Sequence, residues 1–290
     1  MNTERNIIRC YGITKDPETN NFVIVMQYAE YGSLRQSIST EYFNLASWAD
    51  KFYILSCIAE GLSNIHKKGL IHQDFHSGNI LKLDIISTCI TDLGLCKPAN
   101  EKSEKCDKNV YGVLPYVAPE VLRGKEYTQA SDIYGFGIII YEVISGLPPY
   151  NDMSHDELSA IKICQGLRPK FNIKVPQFVE EIYKQCIDAN PLKRPTAEYL
   201  HEKFSQWFHQ IYFYYTCKDR EDILYYSNCE IIKQIEEVDK FNKKQSTLND
   251  TDELVYITHP QAIYTSRLLS FKNLPEPKNA DDDEDYSGNN

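Results

Sequence analysis

Residues Ile71 to Leu81 read IHQDFHSGNIL and Thr91 to Leu95 follow as TDLGL, so a histidine, two aspartates and an asparagine fall close together in the chain. Asp74 and Asn79 stand five positions apart. That separation fits one short loop with both side chains facing a common cleft, and both residues offer the hard oxygen donors that a divalent cation prefers. Gly94 is positioned to let the backbone turn tightly beside Asp92. Short apolar runs flank the set, Asn79 to Leu83 and Cys89 to Thr91, and they predict a small hairpin around it. An HxD triplet alone arises often by chance. It gains weight from further landmarks that come in order along the chain.

LPYVAPEVL carries Ala118, Pro119 and Glu120, SDIYGFGIIIYEVISGLPPY begins at Ser131, and NPLKRPTA carries Arg194. Taken together, these landmarks resemble the protein kinase superfamily, and HSGN with the tyrosine-rich second half most resembles its tyrosine kinase-like branch. The match sets His72, Asp74 and Asn79 on the catalytic loop H-R-D-L-x-x-x-N, and Asp92 and Gly94 on the metal-binding D-F-G. The resemblance implies an α+β, two-lobed fold with a residual small lobe and a mainly helical large one. It implies that Asp74 orients the attacking hydroxyl and accepts its proton, and that Asn79 and Asp92 hold Mg²⁺ on the phosphates of ATP. His72 would support the loop, Asp132 would brace the loop's backbone, and Glu120 would pair with Arg194.

The front of the chain is shorter than such a family requires. NIIRCYG from Asn6 resembles the stretch entering the fourth strand, and NFVIVM from Asn21 resembles the fifth. Gln27 to Glu30 then reads as the hinge, with Met26 as gatekeeper, Tyr28 and Ala29 beside the adenine, and Leu81 in the same nucleotide-binding set. The first glycine is Gly12 and no G-x-G-x-x-G occurs anywhere, and the chain lacks the third-strand lysine that such a family aims at the phosphates. Positioned charges of that kind are worth ~10²–10³ each in rate. Two readings are open: a fragment of a longer, active kinase, or a pseudokinase scaffold that binds partner proteins without turning over ATP. A two-stranded hairpin is marginal and exposes an edge, so Ile7, Ile8, Val23, Ile24 and Val25 are expected to lack partners.

The chain divides into residues 1–31 as residual small lobe and hinge, 32–212 as large lobe, and 213–290 as an extension. Trp48, Phe52, Leu55, Ile58, Leu62 and Ile65 recur at helical spacing and predict a long helix leading into the catalytic loop. Residues 156–165, 179–189 and 197–208 predict further amphipathic helices. In the extension, the charged stretch Asp219 to Lys244 carries Ile223, Leu224, Ile231, Ile232 and Ile235, and predicts a docking or solvent-exposed helix. The remainder, ending in DDDED at 281–285, reads as a solvated arm with a disordered end.

A net charge of −10 argues against nucleic-acid and anionic-lipid partners. No apolar run approaches a membrane span and no leader pattern opens the chain. The nine cysteines show no zinc spacing, which fits a reducing cytosol. The expectation is a soluble, cytoplasmic protein acting on a protein substrate or signalling partner. Within the resemblance three departures bear on function. Gln73 stands where many kinases carry an arginine that grips a phosphorylated activation segment, so phosphate on Ser103 or Tyr111 is not expected to switch the loop in that way. Leu93 for phenylalanine is milder. Val113 after Gly112, Tyr116, and His76 two residues past the base match neither serine nor tyrosine kinases fully, and point to serine/threonine or dual specificity.

Overall fold

The computed structural model describes residues 4–38, 40, 43, 46–99, 110–216, 229–248 and 258–280. Strands β1 (Cys10–Lys15) and β2 (Phe22–Met26) form an antiparallel hairpin in which Ile13 faces Ile24 across the pair. Asp16 closes its turn by accepting from the Thr19 hydroxyl at 2.6 Å and the Glu18 amide at 3.0 Å. The expectation for Ile7 and Ile8 is corrected here, because both are buried. Ile7 bridges Ile90 in parallel, and the Ile8 amide donates to the Ile90 carbonyl at 2.9 Å, so the large lobe supplies their partners. Val23, Ile24 and Val25 do remain exposed.

Next comes the large lobe. Helix α1 (Leu34–Ile38) leads to α2 (Trp48–Lys67), whose start is fixed by a reciprocal capping box between Ser47 and Asp50. The apolar stripe from Trp48 to Ile65 is buried as its spacing requires. Beyond α2, β3 (Leu70–Ile71) pairs with β6 (Lys97–Pro98), and β4 (Ile80–Lys82) pairs with β5 (Thr88–Ile90). Strand β7 (Val110–Gly112) precedes the short helix α3 (Pro119–Leu122) and then α4 (Gln129–Ser145). Helix α4 is capped by Thr128 and Ser131 and closed by Gly146 at φ 71°. It is buried from Ser131 to Ile144, which explains why its sequence is apolar on every side.

Helices α5 (Glu157–Cys164), α6 (Gln177–Cys186) and α7 (Ala197–Thr216) complete the lobe. Phe52, Phe178, Phe204 and Trp207 form an aromatic cluster, with ring centroids 4.7 to 6.1 Å apart, that locks α2, α6 and α7 together. Helix α8 (Glu230–Leu248) lies within the extension, and its Ile232, Ile235 and Val238 are buried. The Trp48 indole donates to Asp239 at 2.9 Å.

The stretch 258–280, read from sequence as part of a solvated arm, is packed. Its strand β8 (Arg267–Leu269) pairs antiparallel with β7, Leu269 and Leu274 are buried, and the Lys278 amide donates to the Cys164 carbonyl at 3.0 Å. A three-residue strand joined to a segment more than 150 residues away has too short a period to stand out in the sequence. Ser103, Ile223, Leu224 and the acidic run 281–285 lie outside the described residues. Among the described residues, no helix is long and apolar enough to cross a membrane.

Candidate active site

Asp132, from the first turn of α4, organises the loop between β3 and β4. Its carboxylate accepts the His72 amide at 2.8 Å and the Gln73 amide at 3.1 Å, while His66 Nε2 lies 2.9 Å from the same group. Gln73 sits at φ 71°, a left-handed conformation that side-chain-bearing residues adopt reluctantly, and the Asp132 bond to its amide helps to hold it there. His72 is fully buried, and its Nε2 donates to the Thr91 carbonyl at 3.0 Å, tying the loop to the chain just ahead of Asp92.

That arrangement brings Asp74, Asn79 and the Asp92 segment together. The Asn79 amide nitrogen donates to the Asp74 carbonyl at 2.9 Å and to its Oδ2 at 3.3 Å. The Thr91 amide donates to the Asn79 carbonyl at 2.9 Å, continuing the β4–β5 ladder and placing Asp92 one residue beyond. Burial acts to raise the Asp74 carboxyl, but contacts from His76 and Ser266, with His72 close by, outweigh it and hold the group below the usual carboxylate range. Asp74 is therefore an ionised, nearly buried carboxylate, and among the described residues its Oδ1 has no hydrogen-bond partner.

The left-handed residue of the following turn is Asp92 itself, at φ 59° and ψ 54°, rather than Gly94. A side chain at Gly94 would meet Asp92 Oδ1 at an ordinary 3.6 Å, so the backbone does not demand glycine there. Asp92 is exposed. With the Asn79 nitrogen committed to Asp74, its amide oxygen remains for a cation. An amide oxygen and a carboxylate on neighbouring strand ends are an oxygen donor set suited to Mg²⁺.

The hinge joins this site through backbone pairing. Ser33 bridges Leu81 and the Lys82 amide donates to the Gly32 carbonyl at 2.9 Å, so half-buried Leu81 lies next to the chain leaving the hinge. Met26 and Tyr28 are exposed, Tyr28 at 83%, and Ala29 is partly covered. Glu120 and Arg194 form the expected pair, buried and two-pronged at 2.7 and 2.8 Å. Arg194 also donates to the carbonyls of Asp188 and Ala130, which ties α3, α4 and α7's leading loop into one unit.

Sequence reasoning missed two groups. The first is a buried network beneath the loop. Arg35 donates to Ser77 Oγ and, at 2.9 Å, to the Tyr116 hydroxyl; Ser77 donates to Glu142 at 3.0 Å; and burial pushes the Glu142 carboxyl up to about 7. Nothing marks Arg35 or Glu142 in a linear reading except charge inside an otherwise apolar helix pattern. The second is His76. The Gly78 amide donates to its Nδ1 at 3.0 Å, so the ring proton sits on Nε2, which lies 3.5 Å from Asp74 Oδ1 and 3.2 Å from the Ser266 hydroxyl. Ser266 in turn donates to Asp74 Oδ2 at 2.6 Å.

A loop carboxylate, an amide and a second carboxylate at the end of one hairpin, and a buried aspartate bracing the loop keep the arrangement that the kinase resemblance implies, and comparison with known proteins shows the family. The family described as protein tyrosine and serine/threonine kinase matches residues 1–204. The chain belongs to this kinase family. Among curated relatives, the tyrosine-protein kinase SPK-1 of Girardia tigrina is 28% identical over 208 residues, covering 69% of this chain and 41% of the relative. The dual specificity protein kinase splA of Dictyostelium discoideum is 29% identical over 208 residues, covering 66% of this chain and 8% of the relative. The kinase chain thus spans less than half the length of either.

Proposed function

We propose that this lobe carries out ATP- and Mg²⁺-dependent phosphoryl transfer to serine or threonine hydroxyls of proteins, in intracellular signalling. The observation that carries the reading is Asp74: ionised, almost enclosed, and already in contact with a serine hydroxyl at 2.6 Å. Its Oδ2 takes the acceptor's proton while Asn79, donating to the same carboxylate at 3.3 Å, holds it in place. Asn79 and Asp92 would hold Mg²⁺, which supplies charge neutralisation on the transferring phosphate. Exposed Met26 and Tyr28, with Ala29 and Leu81, would line the adenine side. His76, two residues beyond Asp74, presents a single N–H to the acceptor oxygen, a contact that suits a short alcohol and supports the serine/threonine preference.

The test is phosphate incorporation into dephosphorylated casein by the full chain with Mg-ATP. Asp74→Asn should lower the rate by ~10²–10⁴, the usual contribution of a positioned base. Incorporation no faster than in the variant would defeat the reading.

A second reading, a scaffold that holds partner proteins without transfer, is favoured by the hairpin, where Ile13, Phe22 and Ile24 are 69%, 78% and 58% exposed. A Mg-ATP-dependent rise in melting temperature, lost in Asp92→Asn, would count against it.

A further inference from the structure

The catalytic base is not open to solvent, because the chain's own C-terminal segment lies across it. Strand β8 pairs with β7 in the register Gly112↔Arg267, Tyr111↔Leu268 and Val110↔Leu269, and Ser266 is the residue immediately before it. On the upstream side, the His259 amide donates to the Asn151 carbonyl at 2.7 Å and the Ile263 amide to His155 Nδ1 at 3.1 Å. Tyr264 stacks edge-on against His155 with centroids 4.9 Å apart, and Arg35 lies 5.0 Å over its ring while donating to its carbonyl. On the downstream side Leu269 is buried, Arg123 donates to the Leu274 carbonyl at 3.3 Å, and the same guanidinium forms a two-pronged pair with Glu276. Ser266 is therefore held from both sides at the point where its hydroxyl meets Asp74.

The hydroxyl is also polarised in the required sense. His76 Nε2–H approaches the Ser266 oxygen at 3.2 Å, and the Ser266 proton points at Asp74 Oδ2 across 2.6 Å. This chain from histidine through hydroxyl to carboxylate is how a kinase base would receive an acceptor. An extended strand on the rim of a groove, with one side chain delivered to the reacting centre, is also how a protein substrate is recognised.

We propose that residues 258–280 are an intramolecular protein substrate of this lobe, with Ser266 as the acceptor hydroxyl. The inference rests on the phosphotransfer reading above. In the step, Ser266 Oγ forms a bond to the γ-phosphorus of ATP as the bond from that phosphorus to the β–γ bridging oxygen breaks. ADP leaves and the hydroxyl proton passes to Asp74. Once Asp74 has passed that proton on to solvent, a phosphoester of charge about −1.5 to −2 faces an ionised aspartate. Like-charge repulsion then releases β8 from β7 and opens the groove, so the segment acts once in cis and afterwards ceases to block other substrates.

The experiment incubates the full chain with Mg-ATP in the presence of dephosphorylated casein and maps phosphate by mass spectrometry. The expected result is one phosphate on Ser266, incorporated at a rate per molecule that does not change over a tenfold range of protein concentration. Ser266→Ala should abolish that phosphate and label casein more slowly than the wild type, because its β8 is never released from over Asp74. Casein labelled with Ser266 untouched, phosphate on Thr265 or Ser270 instead, or a rate proportional to protein concentration would overturn the inference while leaving the kinase reading intact. If neither casein nor Ser266 is labelled, both fall together. Amide hydrogen exchange gives a readout independent of turnover. Residues 267–269 should exchange at least tenfold faster in Leu269→Asp and in Ser266→Glu than in the wild type, and equal rates would show that no docked strand guards the base.

Discussion

The large lobe and the hairpin ahead of it treat residue types in opposite ways. In the lobe, Glu120, Asp132, Glu142 and Arg194 are almost wholly buried, whereas in the hairpin Ile13, Phe22 and Ile24 face solvent. The contrast shows that partners, rather than polarity, decide what this fold encloses. Glu120 meets a guanidinium, Arg194 a carboxylate, Asp132 backbone amides and Glu142 a hydroxyl, and a charge so matched can be enclosed without the full desolvation loss. Among the described residues no second layer covers the hairpin strands, so their apolar side chains stay outside despite high strand propensity.

The largest effect should come from breaking the most completely matched charge. Glu120→Ala leaves the Arg194 guanidinium inside the lobe with only carbonyl partners and the Tyr134 ring, 5.3 Å from its centre. The expected loss is about 3–5 kcal/mol, the usual result of orphaning one member of a buried pair. Urea denaturation measures it. A loss below about 1 kcal/mol would mean that the carbonyls alone satisfy Arg194 and that pairing is not what permits burial.

A subtler break lies at Glu142, where the match is partial. Its Oε1 accepts from Ser77, but among the described residues its Oε2 has no hydrogen-bond partner, and burial raises the carboxyl from 4.5 to about 7. Between those values the native chain keeps a proton that the unfolded chain has released. Stability from this group is therefore complete below about pH 4.5 and is lost as pH rises towards 7. Glu142→Gln removes the titration, so the wild type should weaken relative to the variant across that window and run parallel to it above. A wild type that gains on the variant with rising pH would instead assign the dominant role to attraction from Arg35 and reverse the assignment of Glu142 as a poorly matched charge.

The same contrast explains what was legible in the sequence. His72, Asp74, Asn79, Asp92, Asp132, Glu120 and Arg194 are marked by local loops and by their place in an ordered series of motifs, and the structure shows Asp132 on the His72 and Gln73 amides, Asn79 on Asp74 and Glu120 on Arg194, with Asp92 exposed just past β5. The helix stripe from Trp48 to Ile65 was readable because a buried face imposes its period directly. The burial of Ile7 and Ile8 was not, since their cover comes from Ile90, across the lobe boundary. Nor was the role of Arg35 or His76, whose partners Tyr264 and Ser266 lie about 190 residues or more along the chain. Contacts of that range leave no periodic or motif signal. The packing of 258–280 escaped for the same reason: its anchors are mostly backbone groups, which every residue carries.

The smallest effect is expected in the hairpin, and it bears on the comparison most directly because the residue is as apolar as any in the core. Ile24, 58% exposed, pairs with Ile13 on a strand with no layer over it. Ile24→Thr keeps the branched shape that strands favour and removes only apolar surface already in water, so stability should change by no more than about 0.5 kcal/mol. The denaturation midpoint tests this, with sedimentation run alongside. A loss above about 1 kcal/mol, or a wild-type mass above one chain that falls in the variant, would show that a second surface covers this face in solution. The hairpin would then obey the same rule as the lobe, with its partner supplied by another molecule rather than by the chain itself.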